Sequence, residues 1–471
     1  MEHFGCRAAR ADGAAVSDRL RVAELCDASP AVADVVVVNT CSVTAEADRA
    51  ARAFIRRTHR LNPAARIVVT GCYAQRAPEE LAGLKGVAAV VGNSHKALAP
   101  DIILGLLGCA EQHADSELIK IQTAQAPSAP PQLIWADDQF AHSFVEETQI
   151  VPGAQTRPNL KIQEGCGNRC TFCVIPQTRG PSKSLPTETV LRQVEGFVAA
   201  GGNELVLSGI NLGRWGRDFS GSEGAVRQTL AGLVREIFER TALNRLRLSS
   251  IEPMDWDAEL IGLMEEFGGV RLARHAHLPL QSGSDAVLRR MHRRYRPWHY
   301  VEKVEALRQA CGPELTLGAD VMVGFPGETD SEFEETVALV RLLPFGYLHL
   351  FPFSPRPGTP GWVLHAERPV PSEAVEERMT ALRALAAEKC KAHRRRFVGR
   401  ELEAITLHTP GELEARGRSA ALTENFLPVE LEGRLEANQL VRVRVTGLNA
   451  KGALEAVEAR PAQYAAIATS V

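Results

Sequence analysis

Short apolar runs alternate with helical stretches over the first 115 residues of the chain. Residues 34–38 (DVVVV) and 66–69 (RIVV) are continuous and β-branched rather than alternating, which predicts buried parallel strands. Residues 45–61 between them have helical spacing and end just before Pro63. This strand–helix–strand repetition predicts a small doubly wound sheet.

Three cysteines follow strands of this predicted sheet. Cys41 comes after the first run, in NTC, Cys72 after the second, in TGC, and Cys6 after the stub of a strand, in FGC. The carboxyl ends of parallel strands share one edge of a sheet, and ligands bind there. We therefore expect the three thiols to converge, although they are 35 and 31 residues apart in sequence. The alternative is that they are ordinary buried cysteines, which pack well in cores.

A second α/β rhythm begins at residue 160, after a segment from 116 to 158 whose composition is typical of a linker. Candidate strands lie at 160–163, 204–207, 245–248, 275–280, 315–323 and 347–351. Helical patterns separate them at 187–200, 225–240, 257–267, 300–310 and 330–342. Five or six such units predict a partial (β/α)6 barrel over 159–390, with its chemistry on the loops that follow the strands.

The pattern of the sequence changes again after a predicted helix at 370–397. Short strands separated by turns follow at 401–407, 427–431, 440–448 and 453–457. That pattern predicts a small β-barrel over 394–460. The expected fold class is therefore α/β, with an N-terminal doubly wound domain (1–115), a linker, the partial barrel and this C-terminal β-barrel.

Composition narrows the class of protein. The 471 residues are 45% hydrophobic, with a net charge of −3, which excludes both wholesale disorder and a polycation. No apolar run reaches the ~18 residues of a membrane helix, and the amino terminus lacks a signal core, so we expect a cytoplasmic protein without a membrane partner. Ten cysteines are about 2% of the chain, well below a disulfide scaffold. Clustered cysteines in a reducing compartment more often bind metal or do chemistry.

The densest cysteine cluster is Cys166, Cys170 and Cys173, in the string EGCGNRCTFCVIP just after the first strand of the predicted barrel. A tight loop with this C-x3-C-x2-C spacing can bring three thiolates to one metal centre. Structural zinc normally takes four protein ligands, and the nearest further cysteine, Cys109, is well upstream. A 4Fe–4S cluster held by three cysteines leaves one iron open to a small molecule. Zinc with a distant fourth ligand is the alternative.

This loop resembles that of the radical S-adenosylmethionine superfamily in spacing and position. The resemblance implies that the open iron binds S-adenosylmethionine, whose cleavage yields a 5′-deoxyadenosyl radical. Phe172 matches the aromatic position common in such loops, and Ser208 and Gly209 fall where such proteins contact the amino group of the cofactor. Glu252 and Gln281 end later strands that line the same pocket. For each single residue, a loop-capping or packing role is the alternative.

With the first domain included, the chain resembles the methylthiotransferase family over nearly its whole length. The family resemblance implies that Cys6, Cys41 and Cys72 hold a second 4Fe–4S cluster, which carries or supplies the inserted sulfur. One S-adenosylmethionine then provides the radical and another the methyl group. A small redox protein is the expected electron donor, and the sulfur donor is not indicated.

The family has branches that act on adenosine next to the tRNA anticodon or on an aspartate of a ribosomal protein. The strings TAEADR, TGCYAQ, IPQTRGPSKS and LPLQSGSD resemble the branch that modifies N6-threonylcarbamoyladenosine at tRNA position 37. The expected partner is therefore the tRNA anticodon stem-loop. The isopentenyladenosine branch, the ribosomal-protein branch and a non-catalytic iron–sulfur or zinc RNA-binding protein are the alternatives.

An RNA substrate requires cations that neutralise phosphate. The densest basic stretch consists of Arg289, Arg290, Arg293, Arg294 and Arg296. A second group, before the β-barrel that resembles the RNA-binding TRAM domain, consists of Arg394, Arg395 and Arg396, and a third of Arg56, Arg57 and Arg60. For each group, a solvated helix face is the alternative.

Overall fold

The fold is that of a computed structural model, which describes residues 1–5, 7–42, 44–108, 133–140, 144–145, 156–219 and 228–459. The chain divides into two compact units. The first consists of Met1–Gln149, Gln163–Lys183 and Ser354–Trp362, and the second of Ile150–Ile162, Ser184–Phe353 and Val363–Val471. The cysteine loop 166–173 thus belongs to the same unit as the N-terminal sheet. The sequence-based division into three domains and a linker stays a prediction.

The first unit contains a five-stranded parallel sheet in the order β1-β2-β3-β4-β5. Its elements are β1 Glu2–His3, α1 Arg7–Val22, β2 Val35–Thr40, α2 Ala45–Leu61, β3 Arg66–Gly71, α3 Cys72–Arg76, α4 Pro78–Ala82, β4 Val87–Gly92, α5 Ala99–Leu107 and β5 Leu133–Trp135. The two predicted strands and the predicted helix α2 are confirmed. Thr44 caps α2, because its side chain accepts a hydrogen bond from the Ala47 amide.

The unbroken valine run of β2 has a packing reason. Val36 and Val38 belong to a core with Phe54 and Ile55 of α2, on one face of the sheet. Val37 belongs to a second core with residues of α1 and α5, on the other face. A strand covered on both faces needs apolar side chains at every position, and this explains the continuous run.

Two strands of this sheet are not predicted from the sequence. In β4, with the sequence VAAVVG, two alanines and a glycine interrupt the valines, and these three residues are weak strand formers. β5 lies within the predicted linker 116–158, where it pairs in parallel with β4, Val90 opposite Ile134. The linker prediction is therefore wrong at these residues. A three-residue strand shows no periodicity, and its formation depends on hydrogen bonds to β4.

All six strands predicted in the second α/β region are confirmed. They are β6 Asn159–Glu164, β8 Glu204–Gly209, β9 Arg245–Leu248, β10 His275–His277, β11 Thr316–Val323 and β12 Phe345–Pro352, with the short β7 Lys183–Ser184 beside β6. The helices are α6 Ile175–Arg179, α7 Thr187–Ala199, α8 Leu230–Arg240, α9 Ala258–Phe267, α10 Asp285–Arg290, α11 Pro297–Cys311, α12 Asp330–Leu342, α13 Pro360–Glu367 and α14 Ser372–Arg395. Of these, α6, α10 and α13 are too short to show a pattern. No helix in the described ranges is long and apolar enough to cross a membrane.

The C-terminal residues form a closed five-stranded barrel, as predicted, in the order β13-β14-β15-β17-β16. Its elements are β13 Glu401–Thr406, α15 Gly411–Glu414, β14 Arg418–Thr423, β15 Pro428–Glu432, β16 Leu440–Leu448 and β17 Leu454–Glu458. The sequence RSAALT of β14 carries small and polar residues, so its strand character is weak and the prediction misses it.

The turn between β14 and β15 packs against the amino ends of the core strands in the second unit. Phe426 stacks on His275 at the start of β10, with ring centroids 4.3 Å apart. Glu424 accepts hydrogen bonds from the Arg274 guanidinium at 2.9 and 2.7 Å, and the Asn425 amide donates to the Glu314 carbonyl at 2.9 Å. The string TENFLP is therefore a docking element of this barrel.

Candidate functional site

The predicted cysteines of the N-terminal domain follow neighbouring strands. Thr40 pairs with Gly71, and Gly71 pairs with Gly92, so the next residue of each strand lies at one level of the sheet edge. Those residues are Cys41, Cys72 and Asn93, and all three are buried. The structure thus brings two of the three cysteines to the ends of adjacent strands.

Cys6 lies outside the described residues, but its neighbour Gly5 is well defined. Gly5 has φ +148°, and a Cβ there would collide with the side chain of Cys41. Only glycine therefore fits at this close approach. Gly5 therefore lies directly against Cys41, and the convergence of all three thiols stays a prediction.

Cys72 receives two side-chain hydrogen bonds. Nε of Arg179 donates to its Sγ over 3.3 Å, and Nδ2 of Asn93 donates to the same atom over 3.4 Å. Both donors are buried, Arg179 with only 1% of its surface exposed. Buried donors aimed at a sulfur stabilise negative charge on it, and a thiolate is the form that binds metal.

Arg179 is held by a buried group of charges. Its Nη1 donates to Asp12 at 2.9 Å and to Glu164 at 2.8 Å, and Lys96 forms ion pairs with the same two carboxylates. Burial alone would lower the pKa of Lys96, but these carboxylates outweigh it and raise the pKa above its usual value. Two acids and two bases balance, as buried charges must.

The residues after Cys41 are anchored by a second buried carboxylate. Asp48 accepts hydrogen bonds from Ser42 at 3.1 Å, from Arg76 at 2.8 Å and from Arg356 at 2.7 Å. Arg356 comes from the Ser354–Trp362 segment of the same unit. These contacts fix the start of α2 and the chain that follows Cys41.

The loop of Cys166, Cys170 and Cys173 runs from the end of β6 to α6. The Cys166 amide donates to the Gly180 carbonyl, and the Cys173 amide to the Cys170 carbonyl, both at 3.1 Å. All three thiols are partly exposed, and Phe172 beside them is half-buried. The loop therefore presents three soft ligands on an irregular backbone.

Among the described residues, no three His, Cys, Asp or Glu side chains are arranged to hold a metal ion. The gathering of the three loop thiols that the spacing predicts is therefore not observed. The donor set still fits a 4Fe–4S cluster, because three thiolates on one short loop leave one iron without a protein ligand.

The predicted cofactor-binding residues of the second unit lie at or beyond strand ends. Ser208 and Gly209 end β8, and the Ser208 hydroxyl contacts the Leu160 carbonyl at 3.4 Å. Glu252 follows β9, where it binds the Arg293 guanidinium at 2.6 Å. Gln281 follows β10 with φ +63°, and its carbonyl accepts a hydrogen bond from the Met322 amide. Their role in binding the cofactor stays a prediction.

The structure gives an acidic partner to every arginine of the predicted 289–296 group. Asp285 pairs with Arg289 and Arg296, Glu332 with Arg290, Glu252 with Arg293 and Asp255 with Arg294. Arg293 is also buried. These four carboxylates offset much of the positive charge of the five arginines, although Asp255 also pairs with Arg214 and Arg217. RNA binding by this stretch stays a prediction.

The other two predicted basic groups differ in their surroundings. Arg394 and Arg396 donate to the carbonyls of Gly452 and Pro313, while Arg395 is exposed. On α2, all three predicted arginines are exposed to solvent; they are Arg56, Arg57 and Arg60.

Sequence reasoning misses the two donors to Cys72, Asn93 and Arg179, and the charged residues around Arg179. Those charged residues, Asp12, Lys96 and Glu164, lie far from one another in sequence, and no local spacing connects them. Arg179 lies in the string IPQTRG, which contributes to the family resemblance, but the string does not show that its guanidinium reaches a cysteine.

Comparison with known proteins agrees with this architecture. Residues 160–340 match the model of the radical SAM superfamily, and residues 1–93 match that of an uncharacterized protein family, UPF0004. The threonylcarbamoyladenosine tRNA methylthiotransferase MtaB of Bacillus subtilis is 35% identical over 417 residues, which cover 88% of this chain and 85% of that protein. The Aquifex aeolicus protein of the same name is 35% identical, covering 88% and 91%.

Two further similarities complete the comparison. The tRNA-2-methylthio-N(6)-dimethylallyladenosine synthase of Cereibacter sphaeroides is 33% identical over 421 residues, covering 88% of this chain and 87% of that protein. Among solved structures, the radical S-adenosylmethionine methyltransferase TsrM from Kitasatospora setae superposes with a TM-score of 0.49 and 16% identity, over 71% of this chain and 64% of that chain.

The α/β core with a C-x3-C-x2-C loop after its first strand defines a radical S-adenosylmethionine protein. Such proteins use S-adenosylmethionine and a 4Fe–4S cluster. More narrowly, the chain belongs to the methylthiotransferase family, because relatives 35% identical to it are matched over most of their length.

Proposed function

We propose that this enzyme converts N6-threonylcarbamoyladenosine at tRNA position 37 to its 2-methylthio derivative. The observation that carries the proposal is the 35% identity to proteins named for this reaction, over 88% of this chain. The substrate is the anticodon stem-loop of tRNA. Such a substrate implies a cytoplasmic enzyme, with a small redox protein as its electron donor.

Nucleoside analysis tests the substrate. In tRNA from a strain that lacks this protein, the 2-methylthio derivative of threonylcarbamoyladenosine should disappear. Threonylcarbamoyladenosine without the methylthio group should accumulate. The wild-type gene should restore the derivative. Loss of the methylthio group from isopentenyladenosine instead would favour the second candidate, which the 33% identical dimethylallyladenosine synthase supports. Unchanged tRNA with loss of a ribosomal-protein modification would contradict both.

The second part of the proposal concerns a second 4Fe–4S cluster, held by Cys6, Cys41 and Cys72. It is supported by the two buried thiols at adjacent strand ends and by the close approach of Gly5 to Cys41. The donors from Arg179 and Asn93 suit a charged sulfur ligand. We name this the auxiliary cluster, and the one on the Cys166 loop the radical cluster.

Different residues of the chain serve the two clusters. When bound, the radical cluster and S-adenosylmethionine supply the hydrogen-abstracting radical, and the auxiliary cluster supplies the sulfur. Cys166, Cys170 and Cys173 hold the first and leave room for the cofactor. The buried surroundings of Cys72 exclude water from the second, which protects a reactive sulfur from side reactions.

We expect the exposed arginines of α2 to bind the tRNA backbone. Replacing Arg56, Arg57 and Arg60 together by Gln should weaken tRNA binding. The logarithm of the binding constant falls with the logarithm of the salt concentration. This negative slope should become less steep by about 0.9 for each phosphate that these side chains no longer neutralise. Binding is measured by fluorescence anisotropy with a labelled tRNA at several salt concentrations.

The matched control replaces Arg289, Arg294 and Arg296 by Gln, which removes the same formal charge. Because Asp285 pairs with Arg289 and Arg296, and Asp255 with Arg294, part of this charge is already offset, so the control should change binding less. A larger effect in the control would locate the RNA surface at the 289–296 stretch and contradict the assignment to α2.

A further inference from the structure

Three consecutive residues at the end of α6 contact both cysteine-bearing regions of the first unit. The Thr178 carbonyl accepts a hydrogen bond from Nδ2 of Asn93 at 2.7 Å, and Nε of Arg179 donates to Cys72. The Gly180 carbonyl accepts from the Cys166 amide at 3.1 Å. Residues 178–180 therefore join a ligand of the proposed auxiliary cluster to the backbone of the radical-cluster loop.

The two donors to Cys72 are fixed by other partners. Asn93 shares its Nδ2 between Cys72 and the Thr178 carbonyl. Arg179 directs Nη1 to Asp12 and Glu164, which leaves Nε directed at the sulfur. Because both side chains are buried, water does not compete for these hydrogen bonds. Both donors are thus held in position by partners other than the sulfur.

Hydrogen bonds to cluster sulfurs stabilise the more negative, reduced state, and they are a recognised determinant of reduction potential. We propose that Arg179, with Asn93 as a second donor, raises the reduction potential of the auxiliary cluster. The inference rests on the proposed function, because it requires that Cys72 ligates an iron–sulfur cluster. Arg179 is a positioning residue here: it acts through Cys72 and contacts no reacting atom.

The potential is best measured where the auxiliary cluster is the only one present. In a parent protein with Cys166, Cys170 and Cys173 replaced by Ala, a redox titration followed by EPR reports this cluster alone. Arg179→Lys keeps the charge that Asp12 and Glu164 require but removes the Nε donor. The Arg179→Lys variant should lower the reduction potential by about 59 mV, which corresponds to a tenfold change in the one-electron equilibrium constant. Asn93→Leu removes a neutral donor, and charge-assisted hydrogen bonds are about twice as strong as neutral ones. We therefore expect Asn93→Leu to lower the reduction potential by about 28 mV, a threefold change in the equilibrium constant.

Arg378→Lys is the matched control. Arg378 is also buried and binds a buried carboxylate, Glu328, and its hydrogen bonds go to oxygen atoms. This variant should leave the potential unchanged. Unchanged potentials in both Arg179→Lys and Asn93→Leu, or an equal shift in Arg378→Lys, would overturn the inference.

A second measurement needs no substitution of Arg179 or Asn93. In the parent protein labelled with 15N-arginine, pulsed EPR of the reduced cluster should detect a 15N coupling through the Arg179 hydrogen bond. Absence of the coupling overturns the inference. Absence of any cluster from the parent, by iron content and EPR, instead overturns the proposed auxiliary cluster, so the two failures are distinct.

Discussion

Cys170→Ala should abolish the formation of 5′-deoxyadenosine. This thiol is one of three ligands on a loop that provides no spare cysteine, so its loss leaves a cluster without stable attachment. Loss of a residue that only hydrogen-bonds to a metal ligand already costs about 10–100-fold in metal affinity or activity. Removal of a ligand itself should therefore cost more. The measurement is anaerobic incubation with S-adenosylmethionine and a reductant, with 5′-deoxyadenosine quantified by chromatography.

Cys390→Ala provides the control for this substitution. Cys390 lies on α14, is half-buried and follows no strand end, and we expect it to have a packing role only. Its replacement should leave cofactor cleavage intact. If Cys170→Ala still cleaves S-adenosylmethionine at the parent rate, the assignment of the radical cluster to this loop is wrong.

Much of the fold could be predicted from local patterns. The valines of β2 are apolar at every position because two cores cover them, and this makes the strand evident in sequence. β4 is equally buried, but its alanines and glycine give a weak signal. Asn93 follows β4 directly, so missing the strand also means missing the third polar residue at the edge where Cys41 and Cys72 lie.

The candidate site shows the same division between local and non-local information. Cysteine spacing and placement at strand ends are local, and they identify the thiols. The buried pairing of Arg179 with Asp12 and Glu164 joins residues up to 167 positions apart, which no local pattern encodes. The basic stretch at 289–296 illustrates the converse. Its charges are visible in sequence, but the neutralising carboxylates, Glu252 and Glu332 among them, come from other elements.

Cys72→Ala should separate the two halves of the reaction. The radical-cluster cysteines are untouched, so 5′-deoxyadenosine should still form at close to the parent rate, while the methylthio product falls below detection. Iron should drop from about 8 to about 4 per chain, because one of the two proposed four-iron clusters is lost. The measurements are iron content, cofactor cleavage and nucleoside analysis on the same preparation.

Cys311→Ala is the matched control, because Cys311 is also buried but ends helix α11 and follows no strand of the N-terminal sheet. Burial raises the pKa of the Cys311 thiol to about 12, so it stays protonated and is a poor metal ligand. Its replacement should keep all of the iron and both activities. Two results would show that the two cysteine sets do not act separately. One is loss of 5′-deoxyadenosine in Cys72→Ala to the same extent as in Cys170→Ala. The other is continued methylthiolation in Cys72→Ala.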